Sequence, residues 1–302
     1  MKRLLSMEIE LMLCIVACFS LVACSDKDTG EDLVNATVKV KIYNGTADAK
    51  EVELSYTLYR HLAPKSVDQF IELANSNYYD GSAYYEMGMS ASSGVKLVGN
   101  YEYAVNDGKA TLVAKQDVPT IDGEFAKGGT TGSDLKTAKG SICLWRWWST
   151  VSGNDNTTSG FNTGSAGMLA IPTRTGLFLD KENSSTLIAV AGVLGSDDAT
   201  QNGFKWIIGE TVDDVTYSNW ANDNTITYHV FYYLNDDGTI SEKQVMDNDT
   251  YKAEVTDGDI EVFNPSDADA PQEYKSAKYM ATTVTVPKYE YRIVIEDVII
   301  ND

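Results

Sequence analysis

Apolar and polar residues alternate from the first well-patterned stretch of the chain. Val38, Val40 and Ile42 alternate with Lys39 and Lys41, the period of a strand with one face buried. Asn44-Gly45 is a turn signal, and residues 51–59 return as a second strand rich in β-branched and aromatic side chains. The period then changes. Pro64 stands where a helix accepts a proline, at its first position. Val67, Phe70, Ile71 and Ala74 follow at i, i+3, i+4 and i+7, the stripe of a short helix. Residues 75–77 end that helix, and Tyr79-Asp80-Gly81 turns the chain into another strand. Further strands are predicted over 94–100, 141–147, 165–171 and 188–193. Ile226, Tyr228, Val230, Tyr232 and Leu234 share one face of a strand over 226–234. Asn235-Asp236-Asp237-Gly238 turns that strand into another over 239–246, and residues 289–300 form a last apolar strand.

The order strand, short helix, Tyr-Asp-Gly turn, aromatic strand resembles the cyclophilin family of peptidyl-prolyl isomerases. The matching residues are Leu58-Tyr59, Ala63-Pro64-Lys65, Val67, Phe70, Leu73-Ala74 and Tyr79-Asp80-Gly81. Gly123-Glu124-Phe125, followed by Leu135 and Gly140, is a second match, and Leu179-Asp180 a third. The resemblance covers about 36–200 and 287–302. It implies a mainly β fold: a closed eight-stranded β-barrel with capping helices and a large β-rich insertion, residues 201–286, before the closing strand at 287–302.

The resemblance also implies a site, and this chain departs from it. The family carries Phe-His-Arg after its Tyr-Asp-Gly turn, the Arg being its main catalytic residue. The matching positions here are Tyr84, Tyr85 and Glu86. Val98 stands for the Gln that contacts the substrate backbone. Met168 lies in the run 166–170 that replaces the aromatic floor of the proline pocket, and Ile188 falls where a pocket His is common. Arg146 is the candidate substitute for the lost guanidinium. No cofactor is implied, because rotating an X–Pro bond makes and breaks nothing covalent.

The N-terminus changes the picture of where the protein works. Lys2 and Arg3 precede an uncharged apolar run over 11–23, too short to span a bilayer. Residues 1–23 read as a signal peptide. Its end, Leu21-Val22-Ala23-Cys24, resembles a bacterial lipobox, which implies a lipid on the Cys24 thiol. Residues 24–35 form an acidic tether similar to the surface-export tag of Bacteroidetes lipoproteins. An exported, lipid-anchored protein of the bacterial outer membrane is expected, its membrane attachment made through the anchor alone. Cys143 is the one cysteine after Cys24, so the mature chain holds no internal disulfide pair, and its apolar neighbours predict a buried small hydrophobe.

The formal net charge of −20 argues against nucleic acid, where a basic footprint dominates affinity. No metal site is predicted. The EF-hand-like Asn235–Gly238 turn has Tyr233 and Gln244 at its first and closing ligand positions, and both fail calcium. His61 and His229, the two histidines, have no second ligand or triad pattern. Trp145-Arg146-Trp147-Trp148 is the most conspicuous cluster. Trp145 and Trp147 share one strand face, with Arg146 and Trp148 on the other. One face belongs to the core; the other is a candidate stacking platform for a glycan or peptide. Three functions stay open: a weak or inactive isomerase-type lipoprotein that binds proline-containing segments, a surface binding module for glycan or peptide on a disarmed barrel, and a structural lipoprotein. A monomer is expected in each.

Overall fold

The computed structural model describes residues 32–88, 94–116, 118, 119, 121, 124, 135, 137–146, 164–175, 188–218, 220, 224–234, 240–257 and 279–301. Cys24, Trp147, Trp148 and the Asn235–Gly238 turn lie outside them, as do the side chains of Trp145, Arg146 and Ile188.

The chain is mainly β. In order it forms β1 (Leu33–Tyr43), β2 (Ala49–Tyr59), α1 (Pro64–Asn75), β3 (Glu86–Met87), β4 (Val95–Val98), β5 (Tyr101–Asn106) and β6 (Lys109–Ala114). Next come β7 (Ile142–Arg146), β8 (Gly164–Pro172), β9 (Ile188–Leu194), α2 (Asp198–Ile207), β10 (Thr225–Leu234), β11 (Ile240–Asp247) and α3 (Asn248–Asp257). β12 (Tyr279–Pro287), a 3-10 turn (Tyr289–Tyr291) and β13 (Ile293–Asn301) complete it. A curled seven-stranded sheet has the order β13-β1-β2-β9-β7-β8-β4; a four-stranded sheet has the order β11-β10-β12-β3; β5 and β6 form a hairpin.

The opening hairpin follows its sequence signals. β1 and β2 pair antiparallel through Val38↔Leu54 and Val40↔Val52. Gly45 takes the turn at φ +75°. The first and last strands, far apart in sequence, pair directly through Thr37↔Ile299 and Ile42↔Ile293. α1 starts on Pro64 and buries Val67, Phe70, Leu73 and Ala74. Its first turn is capped from a distance: the Glu124 carboxylate accepts from the backbone N–H of Lys65 at 3.0 Å and of Ser66 at 2.8 Å. A carboxylate there satisfies two helix N–H groups that have no partner within the helix and meets the positive end of its dipole.

Residues 82–87 stand between the two edge strands of the curled sheet. Ala83 bridges to Val294 on β13, and Tyr85 bridges to Leu97 on β4. Around them Tyr84 N–H donates to the Ile293 carbonyl at 3.0 Å, and Tyr85 and Leu97 exchange N–H···O bonds of 2.8 Å. The same segment continues into β3, which pairs with β12 through Met87↔Val284.

Two apolar cores lie on opposite faces of the curled wall. The inner core takes Val38, Val40 and Ile42 from β1, Leu54, Tyr56 and Leu58 from β2, and Ile293 and Ile295 from β13. It also takes Tyr84, Val98, Leu144, Leu169 and Ile171, with Phe70 of α1 and Phe204 and Ile207 of α2. On β1 and β2 the reverse face is polar, where Lys41 lies 3.7 Å from Glu51 and also pairs with Glu296. On β4, β7 and β8 the reverse face is apolar as well. Leu97, Cys143, Met168 and Ala170 there meet Tyr228 and Val230 of β10 and Val284 and Val286 of β12. A strand buried on both faces reads as a continuous apolar run, as Val95–Val98 does apart from Lys96.

The segment expected to be β-rich holds β10, β11 and β12 and two helices that the hydrophobic pattern did not announce. α2 packs on β2, with Gly203 so close that an added Cβ would lie 3.2 Å from Leu54 Cδ2 and Val52 Cβ. Its Asp197 N-cap accepts from Thr200 N–H at 2.9 Å.

Candidate functional site

The site positions implied by the resemblance do not converge on one surface. Side chains alternate across the wall along residues 84–87. Tyr84 points inward, 3 % exposed, in the same core as Val98. Tyr85 points outward, fully buried, in the same core as Met168. Its ring stands edge-on to Tyr101 at 4.9 Å. Ile188 is placed by its backbone alone, on β9 opposite Trp145 of β7, and Arg146 pairs with Gly164 of β8. Cys143 is buried in the outer core. His61 is exposed beside Tyr59, and His229 stacks on Tyr251 of α3 at 3.7 Å.

Glu86 is the position with charge, and its partner is not one the sequence reading named. Lys96, its Nζ paired to Glu86 Oε1, is almost wholly buried, its side chain 5 % exposed against 46 % for Glu86. Lys96 and Ile171 are cross-strand partners and share the inner face of the wall. The ammonium lies 3.2 Å from the ring centroid of Trp220. Trp220 in turn donates its Nε1–H to the Ile207 carbonyl at 2.9 Å. A carboxylate, an ammonium and an indole therefore join the 82–87 segment, β4 and the stretch after α2. Burial lowers the Lys96 pKa to about 8, against the pull of Glu86, which raises it.

Chemically, Glu86 ionised is an acceptor, and its oxygen is committed to Lys96. No guanidinium stands beside it among the described side chains. Among the described residues no group of three or more His, Cys, Asp and Glu is placed to hold a metal ion, and no helix is long and apolar enough to cross a membrane.

Two features had readable signals that the sequence analysis passed over. A lone Lys inside Val-Lys-Leu-Val demands a partner, because a charge is buried only when paired. Asp107-Gly108 is a strong hairpin signal, and it joins β5 to β6 with Asp107 at φ +51° and Gly108 at φ +77°.

No protein-family model matches the chain, and no curated protein matches it. Among solved structures, the chain is similar to a cyclophilin-type peptidyl-prolyl cis-trans isomerase of Cryptosporidium parvum crystallised in the presence of the dipeptide Ala-Pro. The identity is 14 %, the match covers 69 % of this chain and 95 % of that one, and the TM-score is 0.33. A second structure of that isomerase matches at 13 % identity over 70 % of this chain and 94 % of that one, with a TM-score of 0.32. At these values the similarity assigns neither a family nor a function to this chain.

Proposed function

We propose that this chain is a lipid-anchored protein of the bacterial outer membrane, built on a cyclophilin-type barrel of eight strands and having weak or no isomerase activity. The bridges from Ala83 to β13 and from Tyr85 to β4 support closure, since they link both edges of the seven-stranded sheet through one further segment. The resemblance of residues 58–81 supports the family type of that barrel.

The observation that carries the loss of activity is the burial of Tyr85 and Met168 beneath β10 and β12. An isomerase must hold a twisted amide over a barrier of about 18–20 kcal/mol and offer it a donor. Here two of the implied positions face the outer core, two face the inner core, and the donor's place is taken by Glu86. Losing one preorganised donor alone typically costs about 10²–10³ in rate. The same burial argues against a proline-containing peptide lodged on this wall, and favours a barrel kept as a scaffold.

A protease-coupled isomerase assay on several X–Pro peptides tests the reading. Rates equal to the uncatalysed exchange are expected; turnover comparable to an ordinary cyclophilin defeats it. The anchor is tested separately: Cys24→Ala should move the protein from the detergent phase to the aqueous phase. Retention in the detergent phase shows that something other than a Cys24 lipid holds it.

A further inference from the structure

The hairpin β5–β6 leans toward the sheet of β10 and β12, and between them lies an open cleft of about 390 Å³ that the barrel reading does not use. That volume falls within the range of ordinary small-ligand sites, roughly 300–1,000 Å³. Tyr103, Tyr228 and Tyr289 line it, together with Lys109, Lys288 and Glu290. The aromatic part is held in place. Tyr103 donates its hydroxyl to the Pro287 carbonyl, and its ring stands edge-on to Tyr289 at 5.7 Å. Tyr228 is 4 % exposed, rooted in the outer core. Arg292 lies over Tyr289 at 4.0 Å and over Tyr43 at 3.4 Å. Rings pinned on several sides lose little freedom when a ligand arrives.

Charges of both signs stand around the cleft. Lys109, which lies 3.8 Å from Asp247, lines it with Lys288 and Glu290, and Arg292 stands against Tyr289. A ligand carrying charge of one sign would meet a side chain of its own sign as well as one of the opposite sign. A purely apolar one would desolvate ammonium and carboxylate groups and offer them no hydrogen bond in return. The ligand that suits apolar ring surfaces bordered by both strong donors and a strong acceptor is one with a C–H face and a circle of hydroxyls. The geometry points to a binding site for a neutral saccharide in this cleft. Lys109 and Lys288 donate to its hydroxyl oxygens, Glu290 accepts from its hydroxyl hydrogens, and Tyr103 and Tyr289 contact its ring carbons, with Tyr228 as the floor beneath them. This site is separate from the barrel wall and does not depend on the isomerase reading.

Saturation-transfer NMR and calorimetry on the whole mature chain test it. The probes are glucose, mannose, galactose, N-acetylglucosamine, their 1,4-linked disaccharides, and glucuronate as the charged comparison. At least one neutral sugar should bind with millimolar affinity. Glu290→Gln, which keeps the shape and removes the anionic acceptor, should weaken it about tenfold, or about 1.4 kcal/mol. Ala110→Trp, placed to fill the cleft, should abolish binding while the far-ultraviolet circular dichroism is unchanged. If Ala110→Trp does not fold, Glu290→Gln alone decides. Absence of binding across the neutral panel, a preference for glucuronate, or unchanged affinity in Glu290→Gln overturns the assignment.

Discussion

Val284→Asp is expected to unfold the curled sheet and the smaller sheet together, in one transition shifted by about 4 kcal/mol or more. Val284 is fully buried. It sits between Tyr228 on one side and Met87 on the other, and shares the outer core with Tyr85, Leu97 and Met168. A carboxylate there is surrounded by apolar side chains and tyrosine rings, with no cation among the described residues of that core. It must either stay charged in an apolar site or take up a proton at neutral pH, and both cost several kcal/mol. Against a typical stability of about 5–15 kcal/mol, that is a large share. Val284→Ala removes only apolar contacts and should cost less, about 1–3 kcal/mol. Urea unfolding followed by both fluorescence and circular dichroism distinguishes the possibilities. Two transitions, with the later one at the wild-type midpoint, mean that β10 and β12 cover the wall without sharing its stability. The reading of Tyr85 and Met168 as permanently sealed would then fall.

The frame of the curled sheet was legible because its signals are local. Alternation fixed which faces of β1 and β2 are buried, and Pro64 fixed where α1 begins; the pairing of the first and last strands, far apart in sequence, had no such local signal. The strands of the curled sheet and its short helix were predicted within a few residues, whereas β5, β6 and β12 were not. α2 went unseen for a compositional reason: its buried stripe is Thr200, Gly203, Phe204 and Ile207. The spacing is helical, but two of its four positions are not hydrophobic, because Gly203 is there to let β2 approach. The arrangement of the implied site was not legible for a different reason. Which way Tyr85 and Glu86 point is set by the strand register, and what covers the outer face comes from residues more than a hundred positions further on. A doubly buried strand can be read from an apolar run such as Val95–Val98; the identity of its second neighbour cannot. Likewise Lys96 announced a buried charge, while Trp220, its other neighbour, is fixed only by the turn after α2.

Glu86 and Lys96 should respond to mutation in opposite directions. Glu86→Ala leaves an ammonium that is 4 % exposed with the Trp220 ring and no carboxylate. Breaking a buried pair from one side typically costs about 3–5 kcal/mol; the half-exposed carboxylate reduces that here to about 2 kcal/mol. Lys96→Met removes the buried charge and frees Glu86 to be solvated. Replacing buried charge by an apolar chain of similar length is often neutral or stabilising, so a gain of about 1–2 kcal/mol is expected. The pH dependence follows from the Lys96 amine, which titrates at about 8 in the fold against an ordinary 10.5. Below pH 8 the folded and unfolded chains both hold the proton, and the fold bears the full cost of the buried charge, about 3 kcal/mol. Between pH 8 and 10.5 the unfolded chain keeps the proton while the folded chain releases it, so this residue's contribution makes the protein more stable as pH rises. The advantage of Lys96→Met over wild type should therefore shrink between pH 7.5 and 9.5 in urea unfolding. Buried tyrosines such as Tyr84, whose pKa burial pushes up, are common to both chains and cancel in the difference. A Lys96→Met variant less stable than Glu86→Ala at pH 7.5, or an advantage that grows with pH, would show that the ion pair and its indole stack hold the 82–87 segment, β4 and the stretch after α2 together more strongly than burial opposes them.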